Sequence, residues 1–265
     1  MIIYTYNIYR PTGNDTALVL GIVNNPQLRQ RINDKIMRQN PNVEQVGFIK
    51  TTPPYQLMMA GGEFCGNATR SATFLILKGK SGQIKLKVSG TKQILIAGVD
   101  KKGNAWTQIP IPQDIKIFNP MPTISIVNLE GITQVVTPLP PNLSNIKEIG
   151  FKLLKQLNLL TTTPAAGATF YQSTPSGIKI LPVVWVRDIQ TLFCETACGS
   201  ATAAIGIIKS LNTDKSVVNL PVIQPTGQII NVNVSLSIKR TIKNVTISGP
   251  IQSLATGKKI LLERK

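Results

Sequence analysis

The sequence predicts an α+β fold in which one strand-and-helix unit is used twice, and three observations carry that prediction. Short runs of alternating or β-branched residues recur through both halves of the chain and read as strands. Helical patterns interrupt those runs at corresponding places in each half. Finally, Cys65-Gly66-Asn67-Ala68-Thr69 returns half a chain length later as Cys198-Gly199-Ser200-Ala201-Thr202, each time opening a helical stretch. A repeat at that offset reads as a duplicated unit.

In order, strand patterns fall at 2–8 and 16–22, followed by a helix that starts at Asn25-Pro26 and runs towards Gln39. Proline is favoured at a first helical position, and Leu28, Ile32 and Ile36 form one apolar stripe. Strand patterns at 43–49 and 55–59 lead to a second helix near Gly66, which carries Ala68, Ala72, Leu75 and Leu77 until Gly79 ends it. Further strands are expected at 84–88 and 94–99. The prolines of Phe118-Asn119-Pro120-Met121-Pro122 restrict their neighbours to extended conformations and read as a linker. The boundary is therefore placed between a first unit, 1–119, and a second, 120–265. The second unit repeats the plan, with strands at 123–127 and 132–137, an amphipathic helix at 145–157, strands at 178–186 and a helix after Gly199.

Composition narrows the chemistry. With 42% hydrophobic and 15% charged residues the 265-residue chain can bury a sizeable core, and no apolar run is long enough to cross a bilayer. The absence of histidine excludes a His general base, a Ser-His dyad and imidazole metal sites. Three cysteines, Cys65, Cys194 and Cys198, form no secreted disulfide framework, and the amino terminus reads as a strand rather than a signal peptide. A reducing, cytoplasmic setting is expected. The net charge of +17 invites a nucleic-acid reading, but the basic residues are scattered and no aromatic platform accompanies them. Nucleic acid is not expected as a partner, and neither is a membrane.

Cys65 and Cys198 each precede a glycine and small residues at a helix start, where unpaired N–H groups favour a thiolate and bind carboxylates. If duplicated lobes bring the two starts face to face, two sulfurs flank a ring of donors. That arrangement suits an α-amino acid: one thiolate removes the Cα proton, and the opposite thiol returns a proton to the other face. Cys194, outside the repeated motif, is read as an inert thiol. A three-cysteine zinc site lacks a second ligand pair, so no metal is expected.

These residues resemble a known family. Glu63-Phe64-Cys65-Gly66-Asn67-Ala68-Thr69 and Glu195-Thr196-Ala197-Cys198-Gly199-Ser200 resemble the two motifs of the diaminopimelate epimerase-like superfamily of cofactor-independent racemases. Tyr6-Asn7, Pro11-Thr12-Gly13-Asn14, Glu44-Gln45-Val46-Gly47-Phe48-Ile49, Gln224-Pro225-Thr226-Gly227 and Ala255-Thr256-Gly257-Lys258 are similar to its histidine racemase branch. The resemblance implies two pseudo-symmetric lobes, each an antiparallel barrel-like sheet around a central helix, with the active site in the cleft between them. It further implies that Cys65 and Cys198 are the acid/base thiols and that Gly66, Asn67, Gly199 and Ser200 hold the α-carboxylate. Asn14 would contact substrate, and Glu44 would face an imidazole side chain. The last strand would return to the first lobe, and no cofactor is implied.

Glu63 is read as orienting its loop. For Glu195, an ammonium contact and a loop-orienting role both stay open. Ile189 and Gln190 stand where diaminopimelate epimerases carry an adjacent Glu-Arg pair, which demotes that substrate because a distal charged group would lose its partners. A small amino acid is the expected partner, histidine the expected substrate. Diaminopimelate or broad-range epimerisation is the alternative, and a catalytically silent amino-acid or anion-binding protein is a further one. A homodimer is compatible with all of these readings.

Overall fold

The computed structural model describes residues 1–113, 115 and 117–263. The chain runs β1 (Ile2–Arg10), β2 (Asp15–Leu20), α1 (Pro26–Gln39), β3 (Val43–Lys50), β4 (Tyr55–Met59), α2 (Gly66–Leu77), β5 (Gly82–Val88), β6 (Ile94–Val99) and β7 (Ala105–Gln108). It continues with β8 (Ile117–Met121), β9 (Ile124–Leu129), β10 (Ile132–Pro138), α3 (Ile146–Gln156), α4 (Leu159–Thr162), β11 (Ala165–Thr174), β12 (Gly177–Val186) and β13 (Thr191–Cys194). The remaining elements are α5 (Gly199–Thr213), β14 (Val217–Ile223), β15 (Ile229–Leu236), β16 (Ile242–Gly249) and β17 (Gln252–Leu262).

All strands join one hydrogen-bonded system. The pairing is mixed, which corrects the expectation of antiparallel sheets. β2–β3, β4–β5, β10–β11 and β12–β14 are parallel, and the other neighbours are antiparallel. The cause is the same sequence feature that marks the helices. Parallel neighbours cannot be joined by a tight hairpin and need a long crossover, and α1, α2, α3 and α5 each lie within one of these four connections. The succession of pairing types from β1 to β7 recurs from β9 to β16, omitting β13.

Two strand pairings between residues distant in sequence tie the halves together. β7 pairs with β16, and β17 returns to pair with β1 from Ile2↔Leu262 to Arg10↔Gln252. Each pairing covers an edge that would otherwise present open N–H and C=O groups. The expected linker is a second correction: Ile117–Met121 forms β8, which pairs only with β9 among the described strands. Proline lacks a donor, but an edge strand tolerates it where no ladder bond is required.

Apolar burial follows the same plan. Ile32 and Ile36 of α1 pack with Val19, Phe48 and Ile260, while Leu154 of α3 packs with Ile126, Val135 and Val183. The largest cluster contains α2 and α5 together, including Ala68, Ala72, Ala201 and Ala204. α2 is buried along its first two turns, where Thr69 and Thr73 return their hydroxyls to the carbonyls four residues back. Among the described residues no helix is long and apolar enough to cross a membrane.

Candidate active site

Helices α2 and α5 begin in the same way. Cys65 caps α2 with φ −134° and ψ 114°, and Cys198 caps α5 with φ −132° and ψ 112°. In both, the residue four further on, Thr69 or Thr202, returns its N–H and hydroxyl to the cysteine carbonyl. The two starts meet at their glycines. A methyl added to Gly199 would lie 3.4 Å from the Gly66 Cα and 2.7 Å from Ile247 Cδ1. Asn67 Nδ2 spans the junction and donates to the Ala197 carbonyl at 2.8 Å. Glycine at both positions is thus what lets the helix ends approach.

One pocket is lined by Cys65, Cys198, Gly66, Asn67, Gly199 and Ser200, so the two repeated motifs share a cavity. Glu44, Glu63 and Glu195 also line it. Three of the chain's twelve acids thus converge on one site of a protein with net charge +17. Burial raises all three: Glu44 and Glu63 to about 7, and Glu195 to about 8 with a further push from Glu44.

The Cys65 sulfur is linked to Glu195 through Gln45, a residue that the sequence did not single out. Cys65 donates to Gln45 Oε1 at 2.7 Å, and Gln45 Nε2 donates to Glu195 Oε1 at 2.8 Å. Cys198 Sγ lies 3.4 Å from Ser200 Oγ, and Glu195 acts on that thiol through its charge. Burial, reinforced by the charge of Glu195, pushes both thiols well above their ordinary value. This corrects the expectation of thiols lowered into the neutral range. The helix-start effect is present, with Ala68 N donating to Cys65 Sγ at 3.3 Å, but desolvation outweighs it.

Further residues hold the motifs in place. Gln134 Nε2 donates to Ser200 Oγ at 2.8 Å, and the Cys198 N–H donates to Gln224 Oε1 at 2.8 Å. Gln45 and Gln224 stand inside the quoted motifs, yet a glutamine in a strand or just past one carries no signal of which distant group it will serve. Arg70, fully buried one turn beyond Gly66, donates to Asn67 Oδ1 at 2.9 Å.

Asn14 lies behind the pocket wall rather than on it. It is fully buried, and its amide donates to Glu44 Oε2 at 3.0 Å. Glu44 Oε1 accepts from Thr196 Oγ1 at 2.5 Å, so Glu44 straps β3 to the loop before Cys198. Cys194 is exposed at the end of β13. Arg187 and Asp188 pair with each other at 2.9 Å, both partly exposed, and neither lines the pocket, whereas Ile189 does.

A family model described as the histidine racemase CntK N-terminal domain matches residues 5–260. The chain belongs to that family. It is 25% identical to a histidine racemase of Staphylococcus aureus over 96% of each chain, and 28% identical to one of Fusobacterium nucleatum over 94% of each. Among solved structures it is similar to a probable proline racemase from Agrobacterium radiobacter, with TM-score 0.69 and 12% identity over 98% of this chain and 93% of that one. It is also similar to a PhzF-family protein from Bacillus anthracis, with TM-score 0.68 and 14% identity over 99% and 100% of the two chains. The histidine racemase family member is therefore an isomerase with a mixed α/β fold, dominated by a large sheet, of the PhzF and proline racemase type.

Proposed function

We propose that this chain racemises histidine by a two-thiol mechanism in a cleft between two pseudo-symmetric lobes, 1–119 and 120–265. The observation that carries this reading is the convergence of Cys65 and Cys198, each capping its own helix, on one pocket. The substrate carboxylate lies in the cradle of Gly66, Asn67, Gly199 and Ser200, and the ammonium faces Glu195. A cation placed there offsets the burial and the Glu195 charge that hold the thiols neutral. One sulfur, as thiolate, takes the Cα proton. The electron pair left on Cα spreads into the carboxylate, where cradle donors stabilise the transition state more than the ground state, by roughly 3–4 kcal/mol per donor.

The opposite thiol then gives its proton to the other face of Cα. The two sulfurs have exchanged protonation states, and the hydrogen bonds Cys65–Gln45 and Gln45–Glu195 lead from one of them to the acid whose charge acts on the other. Asn14 and Glu44 keep the second cysteine loop in register with β3. The chemistry needs no cofactor but does need reduced thiols, which fits a reducing compartment.

Racemisation of L-histidine in deuterium oxide tests this. Product of either hand should carry solvent deuterium at Cα, and Cys65→Ser and Cys198→Ser should each lower turnover by about 10²–10⁴-fold. Unlabelled product, or near-normal racemisation by both serine variants, would contradict it.

A further inference from the structure

The three pocket glutamates are not equivalent in what already occupies their oxygens. Glu44 is committed on both, to Thr196 and to Asn14. Glu195 accepts from Gln45 on Oε1. Glu63, only 6% exposed, has an Oε2 that no described donor satisfies. Arg29 exerts a charge on it, but its hydrogen bonds go to the carbonyls of Ala60, Val23 and Asn24.

The space around Oε2 has a definite character. A methyl on Gly61 would sit 2.7 Å from that oxygen, 2.7 Å from Val186 Cγ1 and 3.4 Å from Ile189 Cγ1. Only glycine at position 61 keeps this corner clear. Val46, Ala60, Val186 and Ile189 line the same pocket, so one carboxyl oxygen stands among apolar walls. A buried oxygen without a donor, on a residue that lines the pocket beside apolar side chains, suits an N–H carried on an otherwise apolar group.

We propose that Glu63 is the specificity-determining residue of the pocket, its Oε2 accepting the ring N–H of a nitrogen heterocycle on the substrate side chain. This rests on the racemase reading above, with imidazole as the ring. Glu63 then reads the side chain, while Glu44 acts one step away as a strap. In this proposal Glu63, to which the sequence reading gave a loop-orienting role, acts on the substrate side chain instead, as a residue that lines the pocket beside Val186 and Ile189.

The test compares L-histidine with L-3-(2-thienyl)alanine, which offers a five-membered ring of similar size and no N–H. Both are followed by Cα deuterium exchange and by racemisation, in wild type, Glu63→Leu, Glu63→Gln and Glu44→Gln. The quantity read is the ratio of the two kcat/KM values, which cancels any effect of Glu63 on Cys65 because both substrates share it. Wild type should favour histidine by at least about tenfold, since a site built to bond an N–H rejects the analogue lacking it. The ratio should fall towards one in Glu63→Leu, fall less far in Glu63→Gln, and persist in Glu44→Gln. The Gln variant, equal in size, carries the test should the Leu variant not fold. A wild-type ratio near one, an unchanged ratio in the Glu63 variants, or a collapse confined to Glu44→Gln would overturn the assignment. No turnover of either compound by wild type would instead overturn the racemase reading.

Discussion

At the pocket thiols the local sequence pulls one way and the surroundings pull the other. Each cysteine sits where helix-start amides favour its thiolate, yet burial and the Glu195 carboxylate favour the neutral thiol and prevail. Glu195→Gln removes the charge that raises both sulfurs. The ascending limb of kcat/KM against pH should therefore move to lower pH, by about one unit or more, and an unshifted limb in a pH–rate series would count against the role of Glu195. The cysteines were legible because a repeated Cys-Gly motif has few other meanings. Gln45, Gln134 and Gln224 were not, since their partners lie far away along the chain and only folding brings them together.

For the two central helices the governing fact is closeness of approach. Gly199→Ala places a methyl 2.7 Å from Ile247 Cδ1, against 3.0 Å for Gly66→Ala. Overpacking of this kind costs about 1–3 kcal/mol, which exceeds the gain of at most about 1 kcal/mol from replacing a helical glycine. Gly199→Ala should thus lower Tm and reduce kcat/KM by roughly 10- to 100-fold as the facing groups move apart. Adding Ile247→Val, which deletes Cδ1, should restore part of both in paired melting and kinetic measurements. The sequence located α1 and α2 closely, through Asn25-Pro26 and the stripe in one and the Cys-Gly start in the other. It missed β11, because Ala165-Ala166-Gly167-Ala168 shows neither alternation nor β-branching, and packing against β10 and β12 makes it a strand.

Over the whole molecule, stability is linked to the same acids. The folded protein holds Glu44 and Glu63 near 7 and Glu195 near 8, against an ordinary value of 4.5. Between those limits the unfolded chain has released protons that the folded chain keeps. Stability contributed by the neutral acids is therefore full below about 4.5 and declines as pH rises towards 8. Tm should fall between pH 5 and pH 8, and fall less in Glu195→Gln, as differential scanning calorimetry of the two proteins would show. Equal pH slopes would mean that Glu195 is not held protonated. The chain ends are likewise a property of the whole: β17 completes the sheet beside β1, although the two lie at opposite ends of the sequence.

The sequence alone marked the repeated Cys-Gly pair, the order of the four longer helices and the family, because each is written in short contiguous patterns. The tertiary structure decided which strands are parallel, that β7 and β16 join the halves, and that three acids meet at one pocket. Those outcomes depend on which groups become neighbours and lose water together, and desolvation at a site shared by residues 44, 63 and 195 is not encoded near any one of them.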